Sequence, residues 1–121
     1  MAELNIRKML DRLGAETEDT VERFMDDEEM YLGYVRNFPQ EGSMAALRKA
    51  VEEKDYEQAE KSVHALKGIA NNLGFLPLAD AAADMLEELR DGNLEEALDA
   101  YEDLEKEYER FTKVINEWKN A

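Results

Sequence analysis

The residues in this chain that are best suited to chemistry are His64, Lys67 and Gly68. His64 is the only histidine among 121 residues, and the lysine and the glycine follow it by three and four positions. On a helix, residues at these spacings are surface neighbours, so an ammonium group and an open gap would flank the imidazole. A neutral imidazole can attack the phosphorus of an acyl phosphate, and nearby lysines would balance the roughly two negative charges of the product. Lys61, one turn before His64, offers a second cation.

Gly68 is informative because glycine inside a helix costs about 1 kcal/mol relative to alanine. At four residues after His64, any side chain would stand over one side of the imidazole. The glycine therefore predicts that a large partner approaches the ring at this point. Asn71 and Asn72, about two turns after His64, can add hydrogen-bond donors to the same surface.

A helix from residue 56 to residue 73 would point His64 away from the core. On a helical wheel the apolar residues fall within roughly 60° of Leu66, whereas His64 lies about 160° away from it. This placement argues against a histidine that is satisfied inside the core. Asp55 and Gln58 resemble a capping box at the start of this helix, and Gly74 can end it. The apolar residues on the wheel are Ala59, Val63, Leu66, Ile69, Ala70 and Leu73.

The other elements are also predicted to be helices, because turn and capping residues interrupt a helical spacing of apolar residues. The first short helix is expected to carry Leu4. Thr17 or Thr20 is expected to cap the second helix, and Asn93 with Glu96 the last one. The predicted helix starts lie near Asn5, Glu16, Asp27, Ser43, Asp55, Pro77 and Asn93.

Four of these helices are at least three turns long and are joined by short loops. They can bury their apolar stripes together only as antiparallel neighbours. The predicted fold is therefore all-α, an antiparallel up-and-down four-helix bundle with short additional N-terminal helices. We expect residues 1–121 to form one domain and the protein to be a monomer, because the long C-terminal stripe is used inside one bundle. The third helix is expected to contribute core residues Met30, Tyr31, Tyr34, Val35 and Phe38.

The composition narrows the range of partners. Thirty acidic residues against fifteen basic ones give a formal net charge of −15, which disfavours nucleic acid and anionic membrane surfaces. The absence of cysteine excludes disulfides and thiolate metal sites. No apolar run approaches the ~20 residues of a membrane span, and the N-terminus lacks the apolar stretch of a secretory signal. A cytoplasmic location is therefore expected.

The residues HALKG at positions 64–68, followed by Gly74, resemble the His-x-Leu-Lys-Gly signature of histidine-containing phosphotransfer (HPt) domains. The resemblance covers most of the chain, since these domains are helical bundles of this size with an acidic cap, like Asp55, before the signature helix. It implies that His64 is the phosphoacceptor of a two-component phosphorelay and exchanges a phosphoryl group with a receiver-domain aspartate. It also implies that Lys67 helps to hold this group and that Gly68 keeps the approach open.

The resemblance further implies a phosphocarrier without its own ATP site or cofactor, since Mg²⁺ and the catalytic acidic residues belong to the receiver in this family. The expected partners are response-regulator receiver domains, including one in a hybrid histidine kinase. Asn71 is expected to assist Lys67 and Gly68 beside the phosphoryl group. The expected receiver-docking residues around His64 are Glu60, Lys61, Ala65 and Asn72.

Other functions fit the residues less well. One histidine cannot build a zinc site or a di-iron site, so no metal site is expected. A hydrolase is disfavoured because Ser43 and Ser62 have no evident histidine and carboxylate partners, and Ser62 projects toward the core. Two alternatives stay open: a helical docking module that binds or sequesters receivers without carrying phosphate, and a domain excised from a larger kinase. The initial Met1 and the absence of a linker favour a stand-alone protein over the excised domain.

Overall fold

Turn and capping residues divide the chain into helices close to the positions that the sequence predicts. The computed structural model describes residues 5–121, and each predicted start falls at the residue before a helix or within its first two residues. Leu4 lies outside the described residues, and no strand occurs within residues 5–121. The elements are α1 (Ile6–Arg12), α2 (Thr17–Arg23), α3 (Glu28–Asn37), a 3₁₀ turn (Phe38–Gln40), α4 (Ser43–Glu52), α5 (Tyr56–Leu73), α6 (Leu76–Arg90) and α7 (Leu94–Lys119).

Helices α4 to α7 form the predicted bundle. α5 packs against both α4 and α6, and α7 packs along α6. The connecting segments are two or three residues long, so consecutive helices run antiparallel. Between α4 and α7, the guanidinium of Arg48 donates hydrogen bonds of 2.7–3.2 Å to both carboxylate oxygens of Glu105. The antiparallel four-helix bundle is therefore confirmed.

Helices α2 and α3, with the residue before α2, cover the C-terminal end of α5. The last carbonyl groups of a helix have no intrahelical donors, so they need partners from elsewhere. The Glu16 amide donates to the Gly74 carbonyl at 3.0 Å, and the Tyr31 hydroxyl donates to the Leu73 carbonyl at 2.9 Å. Burial raises the pKa of Tyr31, so its hydroxyl stays a proton donor. The N-terminal helices thus fix the end of the helix that carries His64.

Gly74 ends α5 as predicted, in a left-handed conformation with φ of +76°. A Cβ atom at this position would collide with the Thr20 hydroxyl, which itself donates to the Glu16 carbonyl at 2.6 Å. Glycine is therefore required both for the backbone conformation and for the close approach of α2.

Several predicted caps are wrong or incomplete, and two of the side chains bind other partners instead. Glu16 is the N-cap residue of α2, and the buried Thr17 hydroxyl instead donates to the Asp11 carboxylate at 3.0 Å. Asn93 is the N-cap residue of α7 but makes no side-chain cap. At α5, Asp55 accepts from the Gln58 amide at 3.1 Å as predicted. The Gln58 side chain donates to Ser62 instead of closing the capping box.

Candidate functional site

His64 lies near the middle of α5 on the side that faces solvent. Its side chain is exposed, whereas Val63 and Leu66 on the same helix are fully buried. The helical wheel therefore predicted its orientation correctly, and a core histidine is excluded. The buried residues of α5 are Ala59, Ser62, Val63, Leu66, Ala70 and Leu73, and Ile69 is half-buried.

Gly68 leaves open space next to the imidazole. A Cβ atom built on this residue would meet no other atom within 4 Å. A glycine that lets two helices approach each other would show a close contact at that point, as Gly74 does with Thr20. The gap at Gly68 faces outward, so it serves nothing inside the fold and leaves one side of His64 accessible.

The two lysines beside His64 have different surroundings. Lys61 is exposed, whereas Lys67 is half-buried and lines a pocket between α5 and α6. Within residues 5–121 the ion pairs join other residues, namely Arg7 with Glu28, Arg48 with Glu105 and Arg110 with Glu107. Neither lysine is in an ion pair with the described residues, so both ammonium groups are available to an anion beside His64.

The other site residues that the sequence predicts also lie on this face of α5. Ala65, Asn71 and Asn72 are exposed, and Glu60 is half-buried. The backbone carbonyl of Asn71 accepts a hydrogen bond of 3.3 Å from Arg23 of α2, which ties this part of α5 to the N-terminal helices. The residues named from the sequence thus form one continuous surface along α5.

On one side of this surface, a groove of about 550 Å³ separates α5 from α3. Met30 and Tyr34 line it with 51% and 57% of their surface exposed, so their prediction as core residues was wrong. Of the five predicted core residues, Tyr31 and Val35 of α3 and Phe38 of the following 3₁₀ turn are buried. We call the groove residues Phe24, Met30, Tyr34, Ile69 and Asn72 the apolar flank.

On the other side of this surface lies a smaller pocket of about 290 Å³ between α5 and α6. Its lining includes Ala83 and Leu86 of α6 and Lys67 of α5. On the wheel of α5, Lys67 and Asn72 lie in opposite directions from His64, each within roughly 90° of it. The pocket and the groove therefore flank the histidine. We call the pocket residues Lys67, Glu87, Arg90 and Asp91 the charged flank.

Sequence reasoning missed both flanks beyond α5 itself. Met30 and Tyr34 are four residues apart, which indicates that they share a helix face. The spacing does not show whether that face is exposed. Glu87 and Arg90 are more than twenty positions after His64. Only the antiparallel pairing of α5 and α6 brings them near it.

Neither a metal site nor a membrane span is found in the described part of the chain. Within residues 5–121, no three His, Asp, Glu or Cys side chains lie together in a way that could bind a metal ion. Among these same residues, no helix combines the length and the apolar character needed to cross a membrane.

Comparison with known proteins gives one match. Residues 8–113 match the family model of the Hpt domain, a range that runs from α1 to the last part of α7 and includes the whole His64 surface. No curated protein and no solved structure matches the chain significantly.

Proposed function

Because the chain belongs to the Hpt domain family, we propose that it carries a phosphoryl group on His64, to and from the aspartate of a receiver domain in a phosphorelay. The observation that carries this proposal is the exposed imidazole beside the open gap at Gly68. A receiver must bring its aspartate within bonding distance of a ring nitrogen, and a covered histidine would prevent this.

The transfer requires a nucleophile and a leaving group on opposite sides of the phosphorus. The lone pair of one imidazole nitrogen attacks the phosphorus of an aspartyl phosphate, and an N–P bond forms. The P–O bond to the aspartate breaks, its electron pair leaves with the carboxylate, and the other ring nitrogen keeps its proton. In the reverse direction, an aspartate oxygen attacks the phosphorus and the imidazole leaves.

Lys67 and Lys61 would balance the charge that reaches His64. The phosphoryl group brings roughly two negative charges to a protein whose formal net charge is already −15. Neither lysine has a carboxylate partner within the described residues, so each can turn toward this group. Asn71, seven residues after His64, offers an amide donor two turns away.

The proposal makes this protein a phosphocarrier rather than an enzyme. It gives the chain no ATP site and no cofactor, and Mg²⁺ would be bound by the partner receiver. There the ion would neutralise charge on the aspartyl phosphate. We further propose that the protein works as a monomer in the cytoplasm.

The receiver would dock over His64 and the apolar flank together. Glu60, Lys61, Ala65 and Asn72 provide the polar and small contacts that the sequence predicts around His64. Met30 and Tyr34 would add exposed apolar surface, which marks protein interaction sites when it is contiguous. Because transfer needs only transient contact, we expect the interface to bury about 1,200 Å² or less in total.

A docking module that binds receivers without carrying phosphate is the alternative. Such a protein would need the apolar flank but neither a free imidazole nor the gap at Gly68. The open space at this glycine therefore favours a carrier.

The test is transfer from a panel of phosphorylated receiver domains to the wild-type protein and to His64→Gln. We expect one phosphoryl group by intact mass on the wild type alone, and its loss in acid, which cleaves the N–P bond. Receiver binding should persist in His64→Gln. Absence of transfer from every receiver that binds the wild type would instead support the docking module.

A further inference from the structure

The charged flank contains carboxylates that the proposed transfer does not use. Glu87 and Asp91 of α6 line the same pocket as Lys67 and Arg90. Two cations and two anions therefore line a space of about 290 Å³, and one of the cations is the lysine that would face the phosphoryl group.

The antiparallel packing of α5 and α6 brings Glu87 toward Lys67. The helices are joined by a turn of two residues, so Lys67, six positions before the end of α5, lies opposite the segment around Ala83. Side chains on a helix lean toward its N-terminus. Lys67 therefore leans toward the level of His64, while Glu87 leans back toward Ala83, and the two approach each other over the pocket.

None of these charges is fixed in an ion pair. The ion pairs within residues 5–121 involve other residues, so no carboxylate lies within bonding distance of Lys67. The lysine is nevertheless half-buried against α6. The Lys67 ammonium group can therefore move between Glu87 and a phosphoryl group on His64 without breaking an existing ion pair.

We propose that Glu87 is a positioning residue that attracts Lys67 in the unphosphorylated protein and competes with the phosphoryl group for it afterwards. This inference rests on the proposed function of His64. The competition weakens the hold of Lys67 on the phosphoryl group, so the phosphohistidine is shorter-lived and passes its phosphoryl group on more readily.

Arg90 makes this exchange reversible. It follows Glu87 by three positions on α6, a spacing at which opposite charges attract each other on a helix surface. When Lys67 turns to the phosphoryl group, Arg90 can balance the negative charge of Glu87. When the phosphoryl group leaves, Lys67 can turn back to Glu87.

The first experiment compares the lifetime of phosphohistidine in the wild type and in Glu87→Gln, which keeps the shape and removes the charge. Phosphoramidate serves as the phosphoryl donor, so no receiver is needed. We expect Glu87→Gln to lengthen the lifetime about two- to fivefold, the range expected for an interaction between charges near the protein surface. Glu102→Gln, on the exposed face of α7, removes the same charge and should leave the lifetime unchanged.

A double variant shows whether Glu87 acts through Lys67 or only through the general effect of its negative charge. In the Lys67→Ala background, the additional change Glu87→Gln should alter the lifetime less than 1.5-fold, because the shared partner is gone. An equal lengthening with and without Lys67 would overturn the proposal.

A second readout does not depend on phosphorylation. In the unphosphorylated protein, the NMR signal of the Lys67 ammonium group should shift in Glu87→Gln and stay in place in Glu102→Gln. An unmoved signal in Glu87→Gln would overturn the attraction between Glu87 and Lys67. A shifted signal in a protein that accepts no phosphoryl group would uphold this attraction and refute the proposed function of His64.

Discussion

The apolar flank and the charged flank lie on opposite sides of the same histidine and differ in physical character. The apolar flank offers Met30 and Tyr34, side chains whose burial stabilises a complex in proportion to the area removed from water. The charged flank offers Lys67 and Arg90, whose interactions depend on distance, direction and salt. We therefore expect a division of roles, in which the apolar flank determines receiver affinity and the charged flank determines how long the phosphoryl group stays.

The strongest test removes the gap that lies between the two flanks. Replacing Gly68 by Gln places a side chain over the imidazole, and a misplaced approach can slow a transfer about 100-fold. The fold should persist, because a Cβ atom at this position meets nothing within 4 Å. The free energy of unfolding should rise by up to about 1 kcal/mol, since glycine is a poor helix residue. The measurements are the transfer rate from a phosphorylated receiver and the thermal unfolding curve.

Gly33→Gln is the matched control for this prediction. Gly33 lies inside α3, and a Cβ atom there also meets nothing within 4 Å. The variant should gain similar helix stability and keep more of its transfer rate. An unchanged transfer rate in Gly68→Gln would refute the role of the gap.

The second test acts on the apolar flank alone. Tyr34→Ala removes a half-exposed ring that contacts Phe24 at a centroid distance of 5.8 Å. We expect receiver affinity to fall about 10-fold, as for an aromatic residue in an interface. The lifetime of the isolated phosphohistidine should stay the same, because Tyr34 does not contact the phosphoryl group. Isothermal titration and an acid-lability time course measure the two quantities.

Leu94→Ala provides the control for Tyr34→Ala. Leu94 is also an exposed apolar side chain, but it lies at the start of α7 and lines neither flank. Its loss should leave receiver affinity unchanged. If both variants weakened binding equally, the apolar flank would not be the docking surface.

The third test changes the charged flank and leaves the apolar flank intact. Lys67→Ala should shorten the phosphohistidine lifetime about fivefold, because a charge-assisted contact to the phosphoryl group is lost. Receiver binding in the unphosphorylated protein should change less than twofold. Lys113→Ala, which removes an exposed cation from α7, is the control for net charge. Equal losses of binding and of lifetime in Lys67→Ala would mean that the two flanks act as one docking surface.

Much of this arrangement could be predicted from the sequence, because it depends on local periodicity. The exposure of His64 follows from the apolar spacing of α5, and Asp55 and Gly74 mark the ends of that helix. Gly68 could be singled out because a glycine inside a helix needs a reason. All of these signals lie within twenty residues of each other.

The flanks could not be predicted because they depend on contacts between distant helices. Periodicity shows that Met30 and Tyr34 share a face of α3, but it does not show whether another helix covers that face. Lys67 and Glu87 line the same pocket only because of the register of two antiparallel helices. Thr17 was misassigned for the same reason, since Asp11 of another helix binds its hydroxyl.

The variant with the smallest expected effect tests whether the roles of the two flanks are independent of the stability of the bundle. Arg48 of α4 pairs with Glu105 of α7, and its hydrogen bonds lower the pKa of that carboxyl. Tyr101 also donates to Glu105 at 2.8 Å, and the pKa of Tyr101 is raised to about 12, first by burial and then by this bond. None of these residues lines either flank.

We expect Glu105→Gln to lower the free energy of unfolding at pH 7 by up to about 1 kcal/mol, a small value because solvent reaches both partners of the pair. A lowered carboxyl pKa contributes stability above the pKa of the unfolded chain and loses it as the pH falls through the pKa of the folded protein. The difference between wild type and Glu105→Gln should therefore vanish in acid, as denaturant unfolding at several pH values can measure. Receiver affinity and phosphohistidine lifetime should both stay at wild-type values at neutral pH. A change in either quantity would mean that the contact between α4 and α7 affects the His64 surface. The properties of the two flanks would then depend on the stability of the bundle.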